Sequence, residues 1–228
     1  MKKKIDVIIP AYNEEKSIGK VILDIPSGLI RNVIVVCNCC SDNTFQVAEQ
    51  SGAIPLVENR KGYGWACLKG MEYLTQDPPD IVVFLDGDYS DFPQEIPQVI
   101  APVLDNDMKL VIGSRVLGIR EKGSLTPQQV FGNWLATRLI KIFYGAKFSD
   151  LGPFRSIDYD SLVELKMADK TYGWTIEMQL KVVKAKMSFC EVPVSYKKRI
   201  GVSKVSGTVK GTIMAGIKII FAVFKYRF

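Results

Sequence analysis

The chain has 228 residues, 47% of them apolar, and a formal net charge of +6. It contains no histidine, so Ser-His-Asp triads, Cys-His pairs and histidine-ligated zinc are excluded, and acid–base work falls to Asp, Glu, Lys, Tyr or Cys. The length suits one domain with a substantial core, and the basic balance suits an anionic partner: a nucleotide diphosphate, a phospholipid surface or nucleic acid.

Met1-Lys2-Lys3-Lys4 opens like an export signal, but the apolar stretch that follows is short and holds Asp6 and Pro10. It reads as a first strand instead. The five cysteines, odd in number, read as reduced thiols of a cytoplasmic protein. Apolar patterning predicts a strand over residues 5–9, then a helix over 14–25 stopped by Pro26. A strand at 33–36, a helix at 42–51, a strand at 54–57, a helix at 64–75 and a strand at 81–85 follow. This alternation predicts an α/β fold with a parallel central sheet covered on both faces. Ligands on such sheets bind outside the carboxyl ends of the strands. Residues 10–13, 37–41 and 86–89 all fall there.

The second half is less regular. It predicts a strand at 109–113, an aromatic-rich helix at 128–144, a helix at 172–186 and a strand at 189–194. No repeat and no Gly- or Ser-rich linker divides the chain, so a single domain is expected. Residues 208–228 are nearly all apolar, with Lys210, Lys218 and Lys225 on one side of a helical projection. A membrane span needs about 20 apolar residues, more than the longest charge-free run here. The segment either docks on the core or lies in a membrane interface. Phe221, Phe224, Tyr226 and Phe228 beside Lys225 and Arg227 favour the interface.

The apolar run 81–85 closes on Asp86-Gly87-Asp88. Two carboxylates one residue apart can hold a hard cation such as Mg²⁺ or Mn²⁺ and leave positions for phosphate oxygens. Gly87 between them would let a ligand approach the backbone. An acidic turn is the plainer alternative. Cys37-Asn38-Cys39-Cys40 lacks the second spaced pair of a thiolate metal site.

Ile8-Ile9-Pro10-Ala11-Tyr12-Asn13-Glu14-Glu15 resembles the opening of family 2 glycosyltransferases of the GT-A fold. The likeness continues through Cys37–Thr44, Lys61-Gly62-Tyr63-Gly64, Asp86-Gly87-Asp88, Gly113-Ser114-Arg115, Phe154-Arg155, Glu177-Met178 and Arg199–Lys204. The later pieces are most similar to dolichyl-phosphate mannose synthase and bacterial polyprenyl-phosphate relatives. The resemblance implies a Rossmann-like, mostly parallel sheet flanked by helices. It implies a catalytic domain over 1–207, with a nucleotide-sugar half at 1–115 and an acceptor half at 116–207, and a separate apolar helix at 208–228.

The resemblance also assigns roles. Asp86 and Asp88 would bind the metal. Pro10, Tyr12, Glu14, Asn38, Lys61 and Gly87 would bind the donor, a UDP- or GDP-sugar. Tyr12 offers a stacking face, Glu14 an acceptor for ribose hydroxyls and Asn38 an amide for the base edge. Arg115, Arg155, Arg199, Ser203 and Lys204 would hold the acceptor and its phosphate, since a guanidinium meets phosphate oxygens in pairs. Residues 150–155 and 172–178 would line the acceptor side, with Trp174 either stacking on a sugar face or belonging to the core, and Glu177 would stand near the active centre as a base or as an orienting group.

Three departures matter. On the helix after Arg115, Gln128-Gln129-Val130-Phe131-Gly132-Asn133-Trp134 lacks the phosphate-binding arginine of the polyprenyl-phosphate synthases, so either the lipid phosphate is held differently or the acceptor is another group. Cys39 stands where relatives have glycine, and Ser90, followed by Asp91, stands where relatives often have a further metal ligand. The implied activity is inverting, metal-dependent sugar transfer to a polyprenyl phosphate, with the protein peripheral on the cytoplasmic membrane face. A hydroxyl acceptor is the nearest rival, with Glu177 or Asp91 as base. A sugar nucleotidyltransferase is disfavoured, because Pro10–Glu15 lacks its glycine- and arginine-rich loop. A nucleic-acid-binding module is not expected to carry an acidic metal site.

Overall fold

The computed structural model describes residues 3–201 and 221–226. Seven strands form one sheet: β1 (Ile5–Ala11), β2 (Asn32–Asn38), β3 (Ile54–Glu58), β4 (Ile81–Phe84), β5 (Leu110–Ser114), β6 (Arg155–Asp158) and β7 (Phe189–Pro193). Their order is β3-β2-β1-β4-β6-β5-β7. β1 pairs in parallel with β2 and β4, so that Ile8 faces both Ile34 and Phe84. β6 runs antiparallel between β4 and β5, and β7 lies parallel to β5. The sheet is therefore mostly parallel, as expected.

Alternate residues of each strand feed two cores. One face of the sheet carries Ile8, Ile34, Val82 and Phe84 and is covered by α3 (Tyr63–Leu74), α5 (Pro127–Tyr144) and α7 (Trp174–Lys184). The other carries Val7, Ile9, Val35 and Val83 under α1 (Ile18–Leu23), α2 (Thr44–Gln50) and α4 (Ile96–Asp105). Both faces are buried, which is why these strands read as continuous apolar runs. Each fully buried Ile, Val or Phe contributes roughly 1.5–3 kcal/mol. Asp6, inside β1, is buried yet satisfied: Arg31 meets it through two nitrogens and the Asn32 amide donates to it.

Four elements depart from the sequence expectation. α1 begins at Ile18 and not at residue 14, because Glu14 and Ser17 form a turn closed by Ser17 N–H to Glu14 carbonyl at 3.0 Å. α4 appears despite Pro97 and Pro102; the first sits in the opening turn, where its missing N–H costs nothing. β6 and α6 (Tyr159–Glu164) were absent from the reading altogether. Asp158 ends β6 and caps α6 through the Ser161 amide at 2.9 Å.

Within 208–228, residues 221–225 are helical, Tyr226 follows in a turn, and the rest lie outside the described residues. Ala222 and Val223 are buried in the core under α3, α5 and α7. Tyr144 Oη donates to the Val223 carbonyl at 2.6 Å, and the rings of Phe143 and Phe224 stand 5.1 Å apart. One side of the segment docks on the core, while Phe221 and Phe224 remain exposed on the other. No helix among the described residues is long and apolar enough to cross a membrane.

Candidate functional site

β4 delivers Asp86, Gly87 and Asp88 to the carboxyl edge of the sheet, behind the fully buried Phe84 and Leu85. Tyr63 Oη donates to Asp86 Oδ1 at 3.2 Å. Asp88 Oδ1 accepts from the Ser90 amide at 2.9 Å and from its hydroxyl. Arg199 bridges Asp88 and Glu14: Nη1 is 3.1 Å from Asp88 Oδ2 and Nη2 is 2.8 Å from Glu14 Oε1. Its loop is pinned over the acidic turn by Lys197 N–H to Ser90 carbonyl and Ile200 N–H to Asp88 carbonyl, each 2.9 Å. Burial, and then the charge of Asp88, push the Asp86 carboxyl up to about 7. Asp91, 1% exposed, is held well above the usual carboxylate range by burial and then by Asp86 and Asp88. Neither of its oxygens has a hydrogen-bond partner among the described residues. The missing Cβ of Gly87 faces Ile9, Ile18 and the Pro10 carbonyl at 3.4–3.5 Å. It therefore opens no approach for a ligand, contrary to the expectation.

Beside this pair opens a cleft lined by Pro10, Tyr12, Asn38, Lys61, Tyr63 and Tyr172. Lys61 Nζ stands 5.2 Å above the Tyr12 ring. Tyr63 belongs to both features, so the cleft and the carboxylates are contiguous. Asn38 lines the cleft, but its amide is spent on the wall. Nδ2 donates to the carbonyls of Glu58 at 3.2 Å and Arg60 at 2.8 Å, and Oδ1 accepts from Gly62 at 2.8 Å. It shapes the 58–62 loop, and both of its amide hydrogens are spent there. Glu14 likewise binds Arg199 and the Ser17 hydroxyl, so its expected ribose contact is replaced by a clamp on the basic loop. Cys39 adopts φ +56°, a left-handed conformation that a glycine would take without cost.

The expected acceptor side is corrected at three residues. Arg115 forks onto Asp150, with Nε–Oδ2 at 2.8 Å and Nη2–Oδ1 at 2.7 Å, and covers the Tyr196 ring at 5.0 Å. A carboxylate already fills its fork. Arg155 is fully buried and donates to the carbonyls of Thr175, Leu151 and Gly152; burial pushes its guanidinium down to about 10. It braces the protein interior and meets no surface ligand. Glu177 is also fully buried and accepts from the amides of Ala168 and Asp169 at 2.9 and 2.7 Å, from Lys181 at 2.7 Å and from Tyr226 Oη at 2.7 Å. Desolvation raises its pKa, but Lys181, the Asp169 amide and Tyr226 outweigh it, and the carboxyl is held below its ordinary value. Four donors leave it no role as a base. Trp174 is core, its ring 6.0 Å from that of Phe84. Ser203 and Lys204 lie outside the described residues.

Tyr63, between Gly62 and Gly64 of a loop singled out in the sequence, had no role assigned there and lines the cleft. Tyr172 heads the 172–178 segment expected on the acceptor side, and it lines the same cleft as Pro10 and Tyr12.

Residues 6–164 match the family description "Glycosyl transferase family 2". An uncharacterised glycosyltransferase of Mycobacterium tuberculosis is 34% identical over 215 residues, covering 92% of this chain and 94% of that protein. A UDP-N-acetylglucosamine–dolichyl-phosphate N-acetylglucosaminyltransferase of Methanococcus voltae is 27% identical, covering 84% of this chain and 85% of that protein. Among solved structures, glucosyl-3-phosphoglycerate synthase of Mycobacterium tuberculosis, in complex with Mn²⁺, UDP and glucosyl-3-phosphoglycerate, superposes with a TM-score of 0.76 at 21% identity, covering 98% of this chain and 80% of that one. At that identity the likeness concerns the GT-A fold. The family match spans well over half of the chain, and the chain belongs to the family 2 glycosyltransferases.

Proposed function

We propose that this hexosyltransferase moves a sugar, with inversion, from a nucleotide-diphosphate sugar to a polyprenyl phosphate at a membrane face, using Mg²⁺ or Mn²⁺. The observation that carries the donor half is the contiguity of the cleft with Asp86 and Asp88 through Tyr63. Residues 1–115 would form the donor half and 116–207 the acceptor half.

The acidic pair fits a divalent cation. Burial first, and the charge of Asp88 second, raise the Asp86 carboxyl to about 7, a double cost that a bound cation would relieve. Among the described residues no group of three or more Asp, Glu, Cys or His side chains forms a metal cage, so phosphate oxygens and water would complete the shell. When bound, the metal supplies positive charge opposite the leaving diphosphate. Tyr12 offers its ring to the base, Lys61 neutralises phosphate, and Arg199 shares charge between leaving group and acceptor. The solved mycobacterial synthase holds Mn²⁺ and UDP, which supports this donor class.

A phosphate acceptor is already ionised at neutral pH and needs no base, in keeping with the saturated carboxylate of Glu177. The lipid part is supported by the outer face of α5. This helix has no Asp or Glu; Phe131 (61% exposed), Trp134 (53%) and Ile142 (68%) share its solvent face with Arg138 and Lys141. An acid-free aromatic face with interspersed cations suits an anionic bilayer. The Methanococcus relative acts on dolichyl phosphate.

The test is transfer of radiolabelled sugar from a panel of UDP- and GDP-sugars, with Mn²⁺, to a polyprenyl phosphate in anionic vesicles. Label in solvent-extractable lipid, lost in Asp88→Asn, is the expected result. Label confined to water-soluble product would overturn the lipid acceptor and favour a hydroxyl. One observation favours that second reading: the buried carboxyl of Asp91 stands beside Asp86 and Asp88 with neither oxygen hydrogen-bonded among the described residues, free to accept a proton.

A further inference from the structure

We infer that Tyr226 is a positioning residue for the donor cleft: through Glu177 it couples docking of the carboxyl-terminal helix to the loop that walls the nucleotide site. The inference rests on the cleft being the donor site, as proposed above.

The wall is the segment 168–173. Tyr172 lines the cleft directly. Its neighbours press on the two glycines that open α3. A Cβ on Gly62 would lie 2.1 Å from the Lys170 carbonyl oxygen, and one on Gly64 2.0 Å from that of Asp169. The Lys170 carbonyl also accepts from the Trp65 amide at 3.2 Å. Wall and floor are therefore in backbone contact, and a displacement of one moves the other.

Two carboxylates hold the wall. Asp169 accepts from the amides of Thr171 at 2.7 Å and Gly173 at 3.1 Å. Glu177 accepts from the amides of Ala168 and Asp169. One oxygen of Glu177, Oε1, is shared between the Ala168 amide, Lys181 and the hydroxyl of Tyr226.

Tyr226 comes from the far end of the chain. It follows residues 221–225, whose inner side is anchored by Ala222, Val223 and the bond from Tyr144. The outer side carries Phe221 (63% exposed) and Phe224 (45%). A short path then runs from an exposed aromatic pair, through one phenol and one carboxylate, to the amides that fix the cleft wall. The element with two states is the terminal helix, docked or undocked. Docked, it adds a donor to a buried charge and holds the loop against Gly62 and Gly64. Undocked, that donor is withdrawn while Lys181 and the two amides keep the carboxylate satisfied. The fold survives, and the wall loosens. Coupling of two sites through such an element is reciprocal, so a bound nucleotide also favours the docked helix.

The experiment uses the full chain and compares wild type with Tyr226→Phe, which removes only the hydroxyl. Affinity for UDP with Mn²⁺ is measured by calorimetry, melting temperature by scanning calorimetry, and amide exchange over 168–173 by mass spectrometry. The expected result is a loss of about five-fold or more in UDP affinity. Faster exchange over 168–173 accompanies it, with kcat at saturating donor retained. Phe224→Ala should weaken UDP in the same way, and the double variant should lose no more than the larger single effect. A lower melting temperature with unchanged UDP affinity and unchanged exchange means a purely structural bond and overturns the inference. If wild type binds no nucleoside diphosphate, the donor reading fails, and the exchange measurement alone decides the coupling.

Discussion

Arg199 and Asp88 meet at 3.1 Å across the carboxyl edge of the sheet, and the same guanidinium reaches Glu14 at 2.8 Å. The loop that carries Arg199 is thus drawn onto the acidic pair from the far side of the sheet. In this state its cation sits where positive charge is most favoured. A bound divalent ion and diphosphate would compete for Asp88 and free Arg199 toward phosphate. Arg199→Ala should lower kcat by about 10²–10³, the loss typical of one charge-stabilising donor. Arg199→Lys keeps the charge but cannot span both carboxylates, and should recover only part of it. Steady-state transfer assays at saturating donor test this; near-wild-type kcat in Arg199→Ala would remove the residue from the mechanism.

Asp86 supplies a pH signature. Burial, then the charge of Asp88, raise its pKa to about 7, against about 3.9 in an unfolded chain. A raised folded-state pKa contributes stability that is complete below about pH 4 and is lost as pH climbs through about 7. In EDTA, wild type should therefore lose stability relative to Asp86→Asn between pH 5 and 7, by up to about 1.4 kcal/mol per pH unit. Denaturant titrations of both proteins across that range provide the measurement. Parallel pH dependences would show that Asp86 ionises freely.

How much of this was legible beforehand varies with the kind of interaction. The runs at β1, β2 and β4 were readable because both faces of those strands are buried, and the sequence is uniformly apolar there. β6 was not, since its four residues, Arg155 to Asp158, carry a charge at each end and its burial comes from neighbours on either side. α4 was hidden by two prolines. At the site, the acidic pair and Arg199 were readable as chemistry. The jobs of Arg115, Arg155 and Glu177 were not, because each is decided by a partner remote in sequence or by backbone groups: Asp150, three carbonyls, and the 168–169 amides with Tyr226. Residue type announces that a charge is needed but not which group will neutralise it.

Cys39 tests the backbone argument. At φ +56° its backbone is strained, and the thiol recovers hydrogen bonds to the carbonyls of Asn59 at 3.1 Å and Glu58 at 3.8 Å. Cys39→Val adds a β-branch at a left-handed position and should cost about 1–2 kcal/mol, or roughly 2–8 °C in melting temperature for a chain of this size. Cys39→Gly should be neutral or slightly stabilising. If valine were tolerated as well as glycine, the left-handed turn would not be a constraint on this loop.

Lys61 and Gly64 separate binding from architecture. Lys61 projects over the Tyr12 ring into the cleft and supports nothing else in the described residues. Lys61→Ala should weaken nucleoside diphosphate binding by about ten-fold, the worth of roughly 1.4 kcal/mol, and leave the melting temperature unchanged. Gly64 is different: a Cβ there would stand 2.0 Å from the carbonyl oxygen of Asp169, a residue whose amide donates in turn to Glu177. Neither partner can yield without moving the wall. Gly64→Ala should therefore cost about 1–3 kcal/mol of stability and also weaken the nucleotide, since the displaced wall carries Tyr172. Calorimetric binding with thermal unfolding on both variants gives two coordinates for each. The lysine variant must move along the affinity axis alone and the glycine variant along both. A Gly64→Ala protein with wild-type stability would mean that the wall is free to retreat, and the close packing of 168–173 on α3 would lose its significance.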